Sequence, residues 1–468
     1  MMKRITALVA VLLSAPCIHA ETDDGSVIGS VGYIHVEKLD GVWWLVNAEG
    51  ERFVATGMNH VSPRIRFASY NKEHWIKEFG EGILRGKGVD WKAPEVNTWM
   101  EQVAKDHRDY GFNTIAFHHP REMPTEYFEE LGIHYFGKLK LGEINHKHTH
   151  WHGGFPDVFS PEWKTKAEVK VKAFAAKHKN NKHLLGYSFN DLPDYSLEAY
   201  LRIREWEMKR EVYELHPWIK DIISKPGSTE GKKLWVDMLK RNHASAEEAG
   251  ANYGVDAVSW EELAASSDWK TPEDRNKGTA DQREMCMRIT EAWLKTHHDL
   301  IRKYDPNHLI LGDKISAHGL GQPDWVWDIV KKYVDVVLIQ DYDFYTREHE
   351  EKLKGIHRKT GLPIINGDHA YGCLRPNMKK NKGIPVENLC RVGEEYARYL
   401  QGIMGLPFML GWQNCGYLEQ WSGGENDNTG AEQCGLFDPF GKPLMDALRH
   451  VKQANRNAVK WHEGTMEK

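Results

Sequence analysis

The sequence predicts an α/β protein built as a (β/α)8 TIM barrel, with an N-terminal β cap and a helical insertion between barrel strands four and five. Three observations predict it. Short apolar runs alternate with longer amphipathic stretches along most of the 468 residues, the pattern of strands joined by crossover helices. Eight such runs can be counted from Phe53 onward, the number that closes a barrel. No Gly-x-Gly-x-x-Gly follows an early strand, which argues against the doubly wound sheet that the same alternation would also allow.

Taken in order, the chain begins with Lys3 and Arg4, an apolar run from Ile5 to Leu13, and Ser14-Ala15-Pro16-Cys17-Ile18-His19-Ala20. This predicts a secretory signal peptide over residues 1–20, cleaved after Ala20, and hence an exported protein, periplasmic or extracellular. The apolar run is too short to span a bilayer, and Pro16 directly before Cys17 argues against a lipid-anchored cysteine. Residues 32–58 read as a small β unit whose turn lies at Asn47-Ala48-Glu49-Gly50. We expect a cap over 21–51 and the barrel over 52–468. Further strands are expected at 113–118, 133–139, 183–189, 308–312, 335–340, 362–366 and 407–412. Amphipathic stretches fall near 98–110, 161–179, 278–303, 385–403 and 442–458. The interval between strands four and five exceeds a hundred residues, rich in charge and helix formers, which predicts the insertion at about 198–300.

Composition narrows the function. With 62 Lys and Arg against 67 Asp and Glu, a formal charge of −5, no nucleic-acid footprint is present. No partner beyond a small molecule or polymer substrate is implied, and the sequence does not indicate an oligomeric state. Tryptophan is abundant, 18 residues against 15 Phe, and its flat amphipathic ring suits either a core or a platform for a sugar. Trp43 and Trp44 fall in a cap strand, whereas Trp151, Trp412 and Trp421 fall after strands, where sugars would stack. Cys373, Cys390, Cys415 and Cys434 cluster toward the C-terminus, allowing three disulfide connectivities. Their spacing fits no zinc motif, and neither a metal nor another cofactor is expected.

Barrel sites form where strands end at the C-terminal face, so the polar residues after each strand are the candidates. They are Asn59 and His60, His118 and His119, Asn190 and Asp191, Asp313, Gln340 with Asp341 and Asp343, Asp368 and His369, and Gln413 with Asn414. Strands four and seven lie on opposite sides of a barrel mouth, so Asp191 could face Asp368. Two opposed carboxyl groups are what glycoside hydrolysis requires: a general acid, and a nucleophile or base. Equally, each aspartate could cap the loop or helix that follows it.

Several stretches resemble the family-50 β-agarases, glycoside hydrolases related to the family-42 β-galactosidases. They are DGVWWLVNAEGERFVATGMNHV (residues 40–61), LLGYSFNDLPDY (184–195), YGVDAVSWEEL (253–263), KYDPNHLILGDKI (303–315), LPIINGDHAYG (362–372) and WSGGENDNTGAEQCGLFDPFGKPLMDALR (421–449). The resemblance runs in order over nearly the whole chain after residue 20. It implies a barrel hydrolase cutting β-galactosidic linkages in a red-algal galactan of the agarose, porphyran or carrageenan type, or its oligosaccharides. It places Asp191 on the acid/base and Asp368 on the nucleophile, and implies that Asn190 binds the neighbouring 2-hydroxyl. Tyr342 or Tyr345 would orient the nucleophile. Trp412, Gln413, Glu419 and Glu425 would line subsites, joined by Asn59, His60, His118, Trp151, Gln340 and His369.

Both carboxylates that the family supplies as Glu are Asp here. Each loses roughly 1.5 Å of reach, so a pair set about 5.5 Å apart for retention could open to roughly 7 or 8 Å. Retention with a compensating backbone, inversion through an intervening water, and a carbohydrate-binding site that does not cut are the three outcomes. Inheritance favours the first. Asp341, Asp343 and Glu143 are the reserve carboxylates. His146, His148, His150 and His152 could ligate a transition metal or form a polar substrate loop with Trp151. If the substrate is sulfated, Lys147, Arg64, Arg66 and Arg121 could contact it.

Overall fold

The computed structural model describes residues 25–85, 88–149, 153–317, 321–378, 381, 383–421 and 435–466. The expected signal peptide, Trp151, His150, His152, Glu425 and Cys434 lie outside them.

The cap is a four-stranded antiparallel sheet in chain order, Val27–Ile28, His35–Leu39, Val42–Val46 and Arg52–Phe53. Its central hairpin turns at Asp40 and Gly41, both at positive φ (50° and 77°), the geometry that makes Asp-Gly a strong two-residue hairpin signal. Val42–Val46 is buried throughout. The His462 ring from the last helix donates to the Trp43 carbonyl from Nε2 at 2.8 Å and meets the Trp44 ring edge-on at 4.6 Å. The cap is thereby fastened to the helix that closes the chain.

Eight parallel strands form the closed barrel: Ala55–Met58, Thr114–Ile115, His134–Lys138, Leu184–Asp191, Ile310–Ser316, Val337–Gln340, Ile364–His369 and Met409–Asn414. The fold is therefore the (β/α)8 barrel with an N-terminal β cap that the alternation predicted. The ring closes where the eighth strand pairs with the first, Gly411 opposite Ala55 and Asn414 opposite Met58. Gly411 sits at φ 155°, and a β-carbon there would lie 2.1 Å from the Ala55 carbonyl oxygen, so only glycine fits this closure. The strands read as continuous apolar runs because helices cover one side and barrel-filling side chains the other.

Four strands run further than their apolar runs suggest. Strand four continues to Asp191, strand five to Ser316, strand seven to His369 and strand eight to Asn414. Polar residues at strand ends read as loop in a sequence, yet here the parallel ladder continues through them, with Asp191 in register with Lys314.

The interval between strands four and five holds helices Leu197–Met208, Pro217–Ile223, Glu230–Asn242, Ala246–Asn252 and Trp260–Ala265, then the long Arg275–Tyr304. Asp274 caps the long helix by accepting from the Asn276 and Lys277 backbone N–H groups. Its Met285, Ile289, Trp293, Leu294, His297 and Ile301 are buried, a helical stripe facing the barrel. No helix among the described residues is long and apolar enough to cross a membrane. Cys286, Cys373 and Cys390 carry free thiols.

Candidate active site

The ends of strands four, five and seven bring Asp191, Lys314 and Asp368 together at the barrel mouth. Lys314 Nζ stands 3.1 Å from Asp191 Oδ1 and 2.6 Å from Asp368 Oδ2. The fourth member is His118, after strand two, whose Nε2 lies 2.7 Å from the same ammonium, 3.1 Å from Asp368 Oδ2 and 3.4 Å from Asp191 Oδ2. An ammonium has three donors and no acceptor, and Lys314 directs them at two carboxylates and one imidazole. Its side chain is fully buried, against 26% exposure for Asp191 and 6% for Asp368.

Burial alone would push both carboxyls up, but the Lys314 ammonium and the His118 ring outweigh it. Asp191 ends below the ordinary carboxylate value and Asp368 well below it. Lys314 moves the opposite way: burial lowers it, and the two aspartates more than restore it, so the ammonium persists. Burial and the Lys314 charge hold His118 below its ordinary value despite the two aspartates.

Asp368 is further fixed on its other oxygen. The Tyr342 hydroxyl donates to Oδ1 at 3.0 Å, and the Asn59 amide approaches it at 3.4 Å while donating to the Gly367 carbonyl at 2.9 Å. Asn59 Oδ1 in turn accepts from the His118 backbone N–H at 2.8 Å, so one buried amide ties strand seven to strand two. His60 stacks on His118 with ring centroids 4.7 Å apart. The Cys415 thiol also borders Asp368 and Tyr342, and burial holds it well above its ordinary value.

The structure thus brings Asn59, His60, His118, Asp191, Tyr342 and Asp368 to one place. Asn190 is buried beside Asp191, its backbone N–H donating to Asp313 at 2.8 Å, and Gln340 ends strand six half-buried.

Other expectations need correction. Trp412 is 1% exposed, packed between Tyr396 and Tyr399 at 4.2 and 4.8 Å, so it fills the wall and offers no sugar platform. His369 stacks on Tyr399 and bonds the Asp343 carbonyl. Gln413 donates to the Ala55 carbonyl inside the barrel at 3.0 Å, and Glu419 is buried in an ion pair with Arg375. All three support the framework: His369 and Gln413 because side chains of a parallel strand alternate between barrel interior and helix layer, and Glu419, beyond the eighth strand, through its buried ion pair. Tyr345 bonds Glu350 and not Asp368. The reserve carboxylates are also committed: Glu143 to Lys140, and Asp341 and Asp343 to Lys352. Within the histidine segment, His146 pairs with Asp194 at 2.9 Å.

Sequence reasoning missed Lys314. It selected the adjacent Asp313, which points the other way and accepts from Tyr195 of the loop after strand four and from Trp293 of the long helix; burial pushes Asp313 up to about 6. Had the strand been extended through residue 316, alternation would have turned Lys314 inward. Among the described residues, Cys390, Glu394 and His450 also lie close enough together to hold a metal ion, on the outer helices.

No protein-family model matches the chain. Beta-agarase B of Vibrio sp. (strain JT0107) is 20% identical over 503 residues, covering 92% of this chain and 49% of that protein. The chain spans about half the length of this curated relative. Among solved structures, an exo-beta-agarase superposes with TM-score 0.72 at 17% identity, covering 94% of this chain and 66% of its own. A second agarase gives TM-score 0.67 at 16% identity with the same coverage. The fold is shared over nearly the whole chain, and the resemblance to family-50 β-agarases read from the motifs is borne out.

Proposed function

We propose that the chain is a glycoside hydrolase that cuts β-galactosidic linkages of a red-algal galactan, of agarose, porphyran or carrageenan type, with retention of configuration. The observation that carries the mechanism is the shared ammonium. Because Asp191 Oδ1 and Asp368 Oδ2 both lie on Lys314 Nζ, they are less than about 6 Å apart, which matches the spacing of about 5–5.5 Å for retention better than 6.5 Å or more for inversion. In this reading the strand ends and Lys314 draw the two shorter carboxylates together. The relative named a β-agarase supports the substrate class.

In this reading Asp368 is the nucleophile. It is ionised, and Tyr342, Asn59 and Lys314 fix its orientation. It attacks the anomeric carbon as the glycosidic bond breaks, and Asp191 passes a proton to the departing oxygen. Water then releases the sugar from Asp368, giving its proton back to Asp191. Asp191 is the more exposed and more loosely held of the two. A sugar entering between the carboxylates excludes water and separates Asp191 from Lys314; both changes raise its pKa toward that of an acid. The apolar run and basic residues of the first twenty positions support export to the periplasm or beyond.

One observation favours a second reading, a carbohydrate-binding protein that does not cut. In the free protein Lys314 and His118 keep Asp191 ionised at neutral pH, so no proton is stored on the acid/base. Assay of reducing-end release from agarose, porphyran and carrageenan separates the readings. The hydrolase releases new ends from at least one galactan; binding to a galactan without release supports the second reading.

A further inference from the structure

A cleft of about 640 Å³ opens directly beside the carboxylates and shares His60 and His118 with them. Its walls also carry Arg64, Lys138, Trp91 and Glu122. Lys138 ends strand three, in register with Ser188 of strand four. Its ammonium lies 5.0 Å over the Phe117 ring, and among the described residues it makes no hydrogen bond or ion pair. Burial pushes it down to about 8, with Lys140, Arg121 and Lys314 adding to the push and Asp191 opposing it. A half-buried ammonium with no direct ion-pair partner among the described residues leaves its donors open to an anion.

Arg64 repeats the pattern across the cleft. It sits in the 3-10 turn Pro63–Phe67, and its guanidinium makes no ion pair among the described residues. The other basic residues considered for sulfate are differently placed: Arg66 is buried on Trp75 and Tyr417, and Lys147 pairs with Glu207 at 2.7 Å. Glu122 is the carboxylate among the lining residues, so the cleft has two cations to one anion, before Arg121 behind Lys138 is included.

We propose that this cleft binds an anionic substituent of the sugar, a sulfate ester or a carboxylate, between Lys138 and Arg64, so that the substrate is a charged galactan. The proposal rests on reading the barrel mouth as a sugar site. A neutral galactan would shield both cations from water without pairing either, whereas an anionic oxygen accepts charge-assisted hydrogen bonds from both.

The test is affinity electrophoresis of the intact protein in gels containing a sulfated galactan, the same polymer after desulfation, or a galacturonate-bearing polymer. We expect at least about tenfold tighter binding to one charged polymer than to the neutral one, and whichever charged gel retards more identifies the substituent. Lys138→Met and Arg64→Gln should each reduce that preference about tenfold, with Lys138→Arg retaining most of it, and thermal melting confirms that each variant is folded. Equal retardation in all gels, or an undiminished preference in both charge-removing variants, overturns the proposal. Since binding is read and not cleavage, a preference without hydrolysis sinks the hydrolase reading alone, and hydrolysis of neutral polymer without a preference sinks this inference alone.

Discussion

Asp368→Asn lowers kcat by about 10⁴-fold or more on any galactan the protein cuts, and Asp191→Asn does the same on natural linkages. The side chains keep their size and lose the charge, so the expected defect is chemical. An amide at 368 cannot form the glycosyl ester, though Tyr342 and Asn59 still have an oxygen to meet. An amide at 191 cannot pass a proton to the sugar oxygen. The two variants part on substrates with a good leaving group such as a nitrophenol, which needs no protonation: the first step recovers in Asp191→Asn and stays blocked in Asp368→Asn. Initial rates on a natural oligosaccharide and an aryl galactoside provide the comparison, and near-normal turnover in either variant removes that residue from its role.

Lys314→Met has the largest expected effect on stability. Removing one partner of a buried ion cluster costs about 3–5 kcal/mol, because the remaining charges stay buried without compensation. Here two carboxylates would face each other across an apolar side chain. The pH dependence has a definite sign. In the native protein both aspartates titrate below the ordinary value of 3.8, so their contribution is present above that value and lost as pH falls below it. In the variant, repulsion raises the titration of the pair, and the penalty is fully felt above the raised values and relieved as one carboxyl takes a proton. The stability gap between native protein and variant should therefore widen from pH 4.5 to pH 7. Denaturant unfolding at the two pH values measures it, and an equal gap at both would mean that the ammonium is not neutralising the pair.

How much of this was legible depends on what each residue's neighbours reveal. The barrel followed from the alternation of runs, and one turn of the cap from Asn47-Ala48-Glu49-Gly50, both local signals. Asp191 and Asp368 could be paired because strands four and seven face each other in any eight-stranded barrel. What could not be read was the direction of a side chain at a strand end. Trp412 and Gln413 lie within the eighth strand and belong to the wall, and Lys314 was hidden because the apolar run stops four residues before the strand does. Lys138 is a lone cation inside an aromatic strand, HYFGK; its significance depends on the lack of a partner, which only three dimensions disclose. The Glu-to-Asp exchange suggested a wider site, whereas one oxygen of each carboxylate meets the same buried ammonium, at 3.1 and 2.6 Å.

Proton NMR of the anomer formed first during cleavage of a defined galactan oligosaccharide tests the account most directly. Double displacement through Asp368 predicts that the β-anomer appears first and then mutarotates. First appearance of the α-anomer would contradict retention and the nucleophile assignment, and a spectrum in which bound oligosaccharide is never cleaved would contradict the hydrolase reading itself.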